Sequence, residues 1–248
     1  MRDKFYVIVR DCHAKSQTGL GRGFPVQTAT ALRWIPDRTE EMKSQMIETR
    51  AETSLAPDQR EGPFMIIGLG NPGRRFEHNR HNVGFMLLDR LAARLEQSFH
   101  KVQSKALVAT ATYQGERVIL VKPQTYMNNS GRPVTALVDF FKVPLENVLV
   151  VYDDVDLPSS TIRLRPSGGS GGHKGMQSII ERLGTEEFPR LRIGTSRPPG
   201  KKEAADYVLQ DFPAQEIELL EETLGRAGDA VLIFIRDGLE KAMNLFNG

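Results

Sequence analysis

The fold class is most clearly indicated by the stretch FMIIGLGNPG, residues 64–73. Its first four residues form an apolar run that ends in glycines, which is typical of a strand buried on both faces of a sheet. Residues 68–73 also match G-x-G-x-x-G, a pattern that binds dinucleotides when a helix begins directly after the glycines. Here a turn and an extended loop follow, and Asp89, at the spacing of the expected acidic residue, lies within a helical pattern. We therefore predict a buried strand and no dinucleotide site.

Strands and helices alternate after this first strand. The predicted elements are a helix over 83–95, strands over 105–113 and 116–122 that turn at Gln114-Gly115, a helix from Ser130 to about Phe141, strands over 147–152, 161–165 and 191–194, a helix over 176–183 that ends at Gly184, and two C-terminal helices, over 217–234 and from Leu239. Such alternation is typical of one sheet with helices packed on it. We predict an α/β fold, a single domain over residues 64–248 with a twisted mixed β-sheet flanked by helices.

Residues 1–63 differ from this pattern. They contain one short apolar run, residues 5–9, and are otherwise polar and rich in turn-forming residues, so they cannot bury enough apolar area to offset the entropy of ordering. They lack the apolar core of a secretory signal and the low acid content of a transit peptide. We predict a poorly ordered N-terminal extension of unknown role; a small docking element, or translation that starts at Met65, are the alternatives.

Composition excludes several classes of protein. The 248 residues are 40% hydrophobic and 26% charged, which excludes a collagen or a mostly disordered chain. No run approaches the ~18 apolar residues that cross a bilayer. The single cysteine, Cys12, excludes an intrachain disulfide and a thiolate-rich metal site, and suits a reducing compartment. The formal net charge of +2 gives no overall argument for a nucleic-acid partner, so that argument depends on where the basic residues lie.

Four segments place short polar side chains at strand ends or in glycine-rich loops, where α/β proteins bind ligands. They are Asn71 with His81-Asn82, TYMNNSG (125–131), YDDVDLP (152–158) and GGSGGHKG (168–175). A histidine suits general-base work at neutral pH, and a carboxylate that accepts its other N–H would fix its tautomer. Asp153 directly follows a buried strand, so it is the carboxylate best placed to be held rigidly. Asn71 and Asn128 each offer an amide donor and acceptor.

Each of these segments also has an ordinary structural interpretation. A histidine in a loop is often a surface or capping residue, and asparagine before glycine or proline is usual in turns. Asp153, Asp154 and Asp156 could belong to a solvated loop or to a divalent-metal site, although their spacing lacks the glycine and distal glutamate of an EF-hand. The glycines of residues 168–175 could simply permit a tight loop.

Six blocks of sequence, in this order, resemble bacterial peptidyl-tRNA hydrolases. They are IIGLGNPG (66–73), RHNVGF (80–85), KPQTYMNNSG (122–131), VVYDDVDLP (150–158), GGSGGHKGMQSI (168–179) and FPRLRIG (188–194). The resemblance runs from about residue 65 to the C-terminus. It implies a phosphorylase/hydrolase-like fold and hydrolysis of the ester between a peptide and the 3′ end of tRNA. It also implies a cytoplasmic monomer with no metal or organic cofactor, no membrane and no obligate protein partner.

The resemblance also implies roles for individual residues. His81 would be the general base that deprotonates the attacking water, and Asp153 would accept its other ring N–H. Asn71 would help to distinguish a blocked amino group from a free one. Asn128, with Met127 beside it, would hold the peptide or ester end.

Two aromatic positions match those that line the site of the terminal nucleotide, Phe76 and Tyr126, and stacking there would tolerate any base. Position 76 departs from the family, which usually has tyrosine. In the glycine-rich block, Lys174 replaces a substrate-holding asparagine, which adds a charge and removes an acceptor. Lys174 could attract a phosphate or the developing oxyanion, or impair peptide binding.

Basic side chains near the glycine-rich loop are the candidates for contact with the acceptor stem of tRNA. Arg163 and Arg165 lie in one predicted strand, and Arg190 and Arg192 in or beside another. Phosphate contacts of this kind give affinity without sequence preference and with a strong salt dependence. The alternative is a solvated strand face, and Lys201-Lys202 could either add to the contact or lie in a mobile loop.

Two other functions fit parts of the pattern. An RNA-binding protein on the same fold, similar to organelle splicing factors, is suggested by Lys174 and the N-terminal extension. A general esterase or amidase is the third possibility, but the chain has no G-x-S-x-G nucleophile elbow to support it.

Overall fold

The computed structural model describes residues 61–198, 200 and 203–247. The predicted extension, residues 1–63, lies outside the described residues except for its last three. Lys201-Lys202 lie outside them as well.

Within these ranges, a seven-stranded mixed sheet forms the centre of the fold, in the order β2-β3-β4-β1-β5-β7-β6. The strands are β1 (Phe64–Gly68), β2 (Lys101–Gln103), β3 (Ala106–Tyr113), β4 (Glu116–Pro123), β5 (Val148–Asp154), β6 (Ile162–Arg165) and β7 (Arg190–Gly194). Strands β4, β1, β5 and β7 are parallel, whereas β3 pairs antiparallel with β2 and β4, and β6 pairs antiparallel with β7. The predicted α/β class with a mixed sheet is therefore confirmed.

Helices cover both faces of this sheet. They are α1 (Val83–Arg94), α2 (Gly131–Phe141), α3 (Lys174–Leu183), α4 (Ala204–Val208), α5 (Ala214–Asp237) and α6 (Leu239–Phe246). Phe64 and Ile66 of β1 pack in a core with α1, α5 and α6, while Met65 and Ile67 pack in a second core with α2 and α3. Strand β1 is thus buried on both faces, which explains its uninterrupted apolar sequence.

The elements predicted from sequence are present, with small shifts at their ends. The hairpin turns at Gln114-Gly115, where both residues have positive φ, and α3 ends at Gly184 in the left-handed conformation. Strand β2 and helix α4 had no sequence signal because each is too short to show a period. Asp153 lies inside β5 and not after it, since β7 pairs with β5 as far as Asp154. No helix in the described part of the chain is long and apolar enough to span a membrane.

Helix α1 begins where its backbone almost contacts two strands, at Gly84. A Cβ on Gly84 would lie 2.5 Å from the backbone nitrogen of Leu69 and 2.5 Å from the carbonyl oxygen of Val151. Both neighbours are backbone atoms, one directly after β1 and one in β5, so neither can move aside cheaply. We expect Gly84→Ala to lower the free energy of unfolding by about 3 kcal/mol, measured by urea denaturation.

Gly225→Ala is the matched control, because Gly225 also lies in a helix and, apart from its own stretch of helix, has no atom within 4 Å of the position that a methyl group would occupy. This substitution is expected to raise the free energy of unfolding by up to about 1 kcal/mol, the helix propensity difference between glycine and alanine. Equal effects of the two substitutions would contradict the close-packing argument.

Candidate active site

A cleft of about 630 Å³ opens where the carboxyl ends of β1, β4 and β5 meet the loop before α3. Ligands of open α/β sheets bind at this edge. The cleft brings together most of the residues predicted from sequence; those that line it are Asn71, His81, Tyr126, Met127, Asn128, Asp153 and Lys174. They come from four separate segments of the chain, which the parallel strands bring to one place.

Two histidines contact the same carboxylate oxygen at the centre of the cleft. His81 Nδ1 lies 2.8 Å from Asp153 Oδ1, and His173 Nε2 lies 3.1 Å from the same atom. The two imidazole centroids are 4.8 Å apart. Asp153 is buried, with 3% of its surface exposed. His173 was not assigned a role from the sequence, and its position in the glycine-rich block GGSGGHKG was the only signal for it.

The backbone determines which nitrogen of His173 carries the proton. The N–H of Met176 donates to His173 Nδ1 over 3.2 Å as part of the cap of α3. A neutral imidazole that accepts at Nδ1 has its proton on Nε2, so His173 donates to Asp153. His81 also donates to Asp153 through Nδ1–H, which leaves the lone pair on His81 Nε2. That lone pair is what a general base needs.

These two imidazoles also control the charge of Asp153. Burial by itself would raise the pKa of Asp153, but His81 and His173, by their charge and hydrogen bonds, outweigh it and hold the pKa well below the usual range of a carboxyl. Asp153 is therefore an anion at all ordinary pH values. Tyr152 packs its ring against His173, with centroids 4.9 Å apart, and burial raises the pKa of its phenol.

The same cluster could instead hold a metal ion, because the ligating atoms of His81, Asp153 and His173 lie within 4.8 Å of one another. Two histidines and a carboxylate are also a common donor set. Metal binding at His173 Nε2 would move the ring proton to Nδ1, where the N–H of Met176 already points. The hydrogen-bond pattern therefore favours proton transfer over metal binding here.

The three aspartates of YDDVDLP have separate partners. Asp154 pairs with Arg192, and it also accepts the backbone N–H of Asp156 over 2.8 Å. Asp156 pairs with Arg197 over 2.6 Å, while Asp153 holds the two histidines. Because each carboxylate has its own cationic or imidazole partner, the three do not form a shared metal site.

Asn71 is held so that its amide has one orientation. Its Oδ1 accepts the backbone N–H of Met127 over 2.9 Å, and its backbone N–H and C=O both bond to the side chain of Asn82, each over 2.9 Å. The bond from Met127 uses one of the two lone pairs of Oδ1 and fixes which end of the amide is the oxygen. Within the described residues no protein atom accepts from Asn71 Nδ2, so this N–H group can donate to a substrate.

Other predicted residues lie outside the cleft. Phe76 is half-buried beneath the guanidinium of Arg75, 4.5 Å from its ring, and does not line the cleft. Arg163 and Arg192 are opposite each other on β6 and β7, and Arg165 is exposed.

The prediction for Arg190 is wrong. Only 2% of its surface is exposed, and its guanidinium donates to backbone carbonyls, including that of Glu186 over 2.7 Å and that of Gly168. Burial lowers the pKa of Arg190. Arg190 holds the base of the glycine-rich loop and cannot contact a phosphate.

The similarity to known proteins covers nearly all of the described part of the chain. A family model for "Peptidyl-tRNA hydrolase" matches residues 65–248. The peptidyl-tRNA hydrolase of Thermoanaerobacter sp. (strain X514) is 50% identical over 185 residues, which are 75% of this chain and 100% of that protein. The chloroplastic peptidyl-tRNA hydrolase of Arabidopsis thaliana is 48% identical over 75% of this chain and 65% of its own length. The crystal structure of peptidyl-tRNA hydrolase from Acinetobacter baumannii matches with a TM-score of 0.71 and 32% identity, over 75% of this chain and 95% of that chain.

Proposed function

This chain belongs to the peptidyl-tRNA hydrolase family and hydrolyses peptidyl-tRNA, and from that premise we propose that His81 is the general base and Asp153 the carboxylate that orients it. The observation that carries this proposal is the 2.8 Å contact between His81 Nδ1 and Asp153 Oδ1. His81 Nε2 would take a proton from water as that water attacks the ester carbonyl, and the buried anion of Asp153 would stabilise the imidazolium that forms.

This reaction does not require a covalent nucleophile. An ester is an activated acyl group, so a base, a positioned water and neutral amide donors can hydrolyse it without a covalent nucleophile. His173 would have a supporting role, because its Nε2–H is a second donor to Asp153 Oδ1 and helps to keep that carboxylate ionised and oriented. The test is release of free tRNA from N-blocked aminoacyl-tRNA with many turnovers per protein. The alternative RNA-binding function would give stoichiometric binding and no turnover.

Asn71 would select for a blocked amino group. In peptidyl-tRNA an amide carbonyl lies next to the ester, and it can accept from Asn71 Nδ2. A free aminoacyl-tRNA presents an ammonium group at that position, which has donors only. The oriented amide of Asn71 would thus donate to peptidyl-tRNA, whereas free aminoacyl-tRNA would offer it no acceptor at that position.

The substitution Asn71→Asp tests this role, because Asp keeps the oxygen that accepts from Met127 and replaces only the N–H donor. We expect kcat/KM for N-acetyl-aminoacyl-tRNA to fall by about tenfold or more, the cost of an unpaired polar group. The preference over free aminoacyl-tRNA should fall as well.

Asn129→Asp is the matched control, since it adds the same charge in the neighbouring turn without lining the cleft. It should leave the preference unchanged. A normal preference in Asn71→Asp would contradict the role proposed for the amide.

We place the acceptor stem of tRNA along the edge strand β6, with contacts from Arg163, Arg165 and Arg192. Lys174 is the first residue of α3 and lines the cleft, so we place it nearer the 3′ end. Tyr126, Met127 and Asn128 line the same cleft, and we propose that they hold the terminal nucleotide and the ester. Phe76, half-buried beneath Arg75, stays a sequence-based prediction for the nucleotide site.

The substitution Arg165→Gln tests this placement. We expect a higher KM for peptidyl-tRNA, an unchanged kcat, and a slope of log KM against log salt that is smaller by about 1, since one phosphate contact is lost. Lys101→Gln removes the same charge at the opposite edge strand, β2, and should change neither. A steep salt dependence that survives in Arg165→Gln would argue against this contact.

We further propose that residues 64–248 are the catalytic domain and that they act as a monomer in the cytoplasm, without an obligate protein partner. His81, Asp153 and Asn71 line one cleft of a single chain, so a monomer would hold the whole proposed catalytic site. Sedimentation of the protein with and without tRNA would test the oligomeric state.

A further inference from the structure

One wall of the cleft is held by the residues that precede His81. Residues 204–212, here called the wall segment, contribute Ala204, Ala205, Val208 and Leu209 to the lining. An antiparallel bridge joins Asn79 to Asp211. The wall segment therefore packs directly on the chain that carries the proposed base.

Hydrogen bonds extend this bridge on both sides. The N–H of Arg80 donates to the carbonyl of Gln210 over 3.1 Å, and the N–H of Phe212 donates to the carbonyl of His78 over 3.2 Å. The side chain of Asn79 donates to the carbonyl of Leu209 over 2.6 Å. These contacts join residues about 130 positions apart in sequence.

The side chain of Arg80 makes the strongest part of this connection. Its guanidinium packs on the rings of Tyr207 and Phe212, 4.2 Å and 5.0 Å from their centroids. Nη1 donates to the carbonyl of Asp211 over 2.8 Å, and Nη2 contacts both carboxylate oxygens of Glu216, at 3.1 and 3.2 Å. The Arg80 side chain is only 4% exposed.

A buried arginine is an expensive way to stabilise a fold, because apolar residues of similar volume often stabilise it equally well. Its planar group is suited instead to fixing several partners at once, by packing on aromatic rings and donating along its edge. Arg80 directly precedes His81, and both lie in the turn Arg80–Asn82. The same turn thus carries the proposed base and the group that holds the wall.

We propose that Arg80 is a positioning residue that fixes the wall segment relative to His81 and so sets the affinity of the cleft for the end of its substrate. This inference rests on the function proposed above. Arg80 makes no contact with Asp153 or His173 among its described bonds, so its loss should affect binding and leave the proton-transfer step in place.

The experiment compares Arg80→Met, Arg80→Lys and Arg94→Met in the full chain. Arg80→Met should raise KM for N-acetyl-aminoacyl-tRNA by about tenfold, the scale of a lost charged hydrogen bond, with kcat little changed. Arg80→Lys should recover part of this loss, because lysine keeps the charge but not the fork. Arg94→Met removes an exposed ion pair between α1 and α5, Arg94 with Asp229, and should leave KM unchanged.

Hydrogen exchange provides a readout that does not depend on turnover. The amides of residues 204–212 should exchange faster in Arg80→Met than in wild type, while those of β1 stay protected. Unchanged KM with kcat reduced in proportion to the folded fraction, or unchanged exchange in the wall segment, would show that Arg80 is only structural.

If Arg80→Met does not fold, Glu216→Gln carries the test. It keeps the stacking and the carbonyl contacts and should raise KM in the same direction by a smaller factor; an unchanged KM would overturn the inference. A wild-type protein that releases no tRNA would instead contradict the proposed function, whereas the exchange result would still decide the role of Arg80.

Discussion

Replacing His81 by alanine is expected to lower kcat/KM for N-blocked aminoacyl-tRNA by about 10²–10⁴-fold, the range that a positioned general base contributes. The reason is that His81 donates through Nδ1 to a buried anion, Asp153, and so retains the lone pair on Nε2. Within the described cleft, the other imidazole, His173, accepts at Nδ1 and donates at Nε2, so it has no nitrogen left to replace the lost base.

The measurement is release of tRNA under single-turnover and multiple-turnover conditions. His78→Ala is the matched control, because His78 is an exposed histidine three positions away that does not line the cleft. It should retain wild-type kcat. Binding of uncharged tRNA should be similar in wild type and His81→Ala, because the phosphate contacts proposed on β6 are intact. Wild-type turnover in His81→Ala would exclude His81 as the base.

Replacing Asp153 by asparagine is the second substitution with a large expected effect, about 10²–10⁴-fold in kcat. Asparagine has nearly the same shape but no charge, so it cannot stabilise the imidazolium that forms when His81 takes a proton. Its Nδ2 can also donate to His81 Nδ1, which would place the ring proton on Nε2 and remove the base. Two histidines depend on this one carboxylate oxygen, so both lose their orientation together.

Asp156→Asn is the matched control for this substitution. It removes the same charge three residues further along the chain, in the turn after β5, but its partner is Arg197 and not an imidazole. Its kcat should stay close to that of wild type. Similar losses in Asp153→Asn and Asp156→Asn would indicate a general effect of charge on the cleft, which the proposed orientation of His81 does not predict.

The variant Asp153→Asn also tests how the stability of the protein depends on pH. The pKa of Asp153 is lower in the folded protein than the ordinary carboxyl value, which is about 3.9 in an unfolded chain. The ionised group therefore stabilises the fold above that value, and this contribution is lost as the pH falls towards the folded pKa. The difference in free energy of unfolding between wild type and Asp153→Asn should be larger at pH 7 than at pH 3. Urea denaturation at the two pH values measures it, and an equal difference would contradict the lowered pKa.

Much of the fold could be predicted from the order of residues alone. The apolar run at residues 64–67 predicted a strand buried on both faces, and β1 is that strand. The turn at Gln114-Gly115 and the end of α3 at Gly184 were also predicted, because glycine marks positions where the backbone needs positive φ. Short elements such as β2 and α4 were not, since three to five residues show no period.

The candidate site, like the fold, could be predicted only in part from the sequence. The sequence determined which residue types were present, and the resemblance in six blocks indicated their chemistry, including His81, Asp153 and Asn71. Only the tertiary structure decided how they act. In the structure the amide of Asn71 has one orientation, and His173 donates to Asp153. Arg190 is buried beneath the glycine-rich loop, and Arg80 contacts the wall segment of the cleft. Each of these depends on a hydrogen bond between distant segments, and the direction of a side-chain hydrogen bond is set by the atoms around it in space and not by its neighbours in the chain.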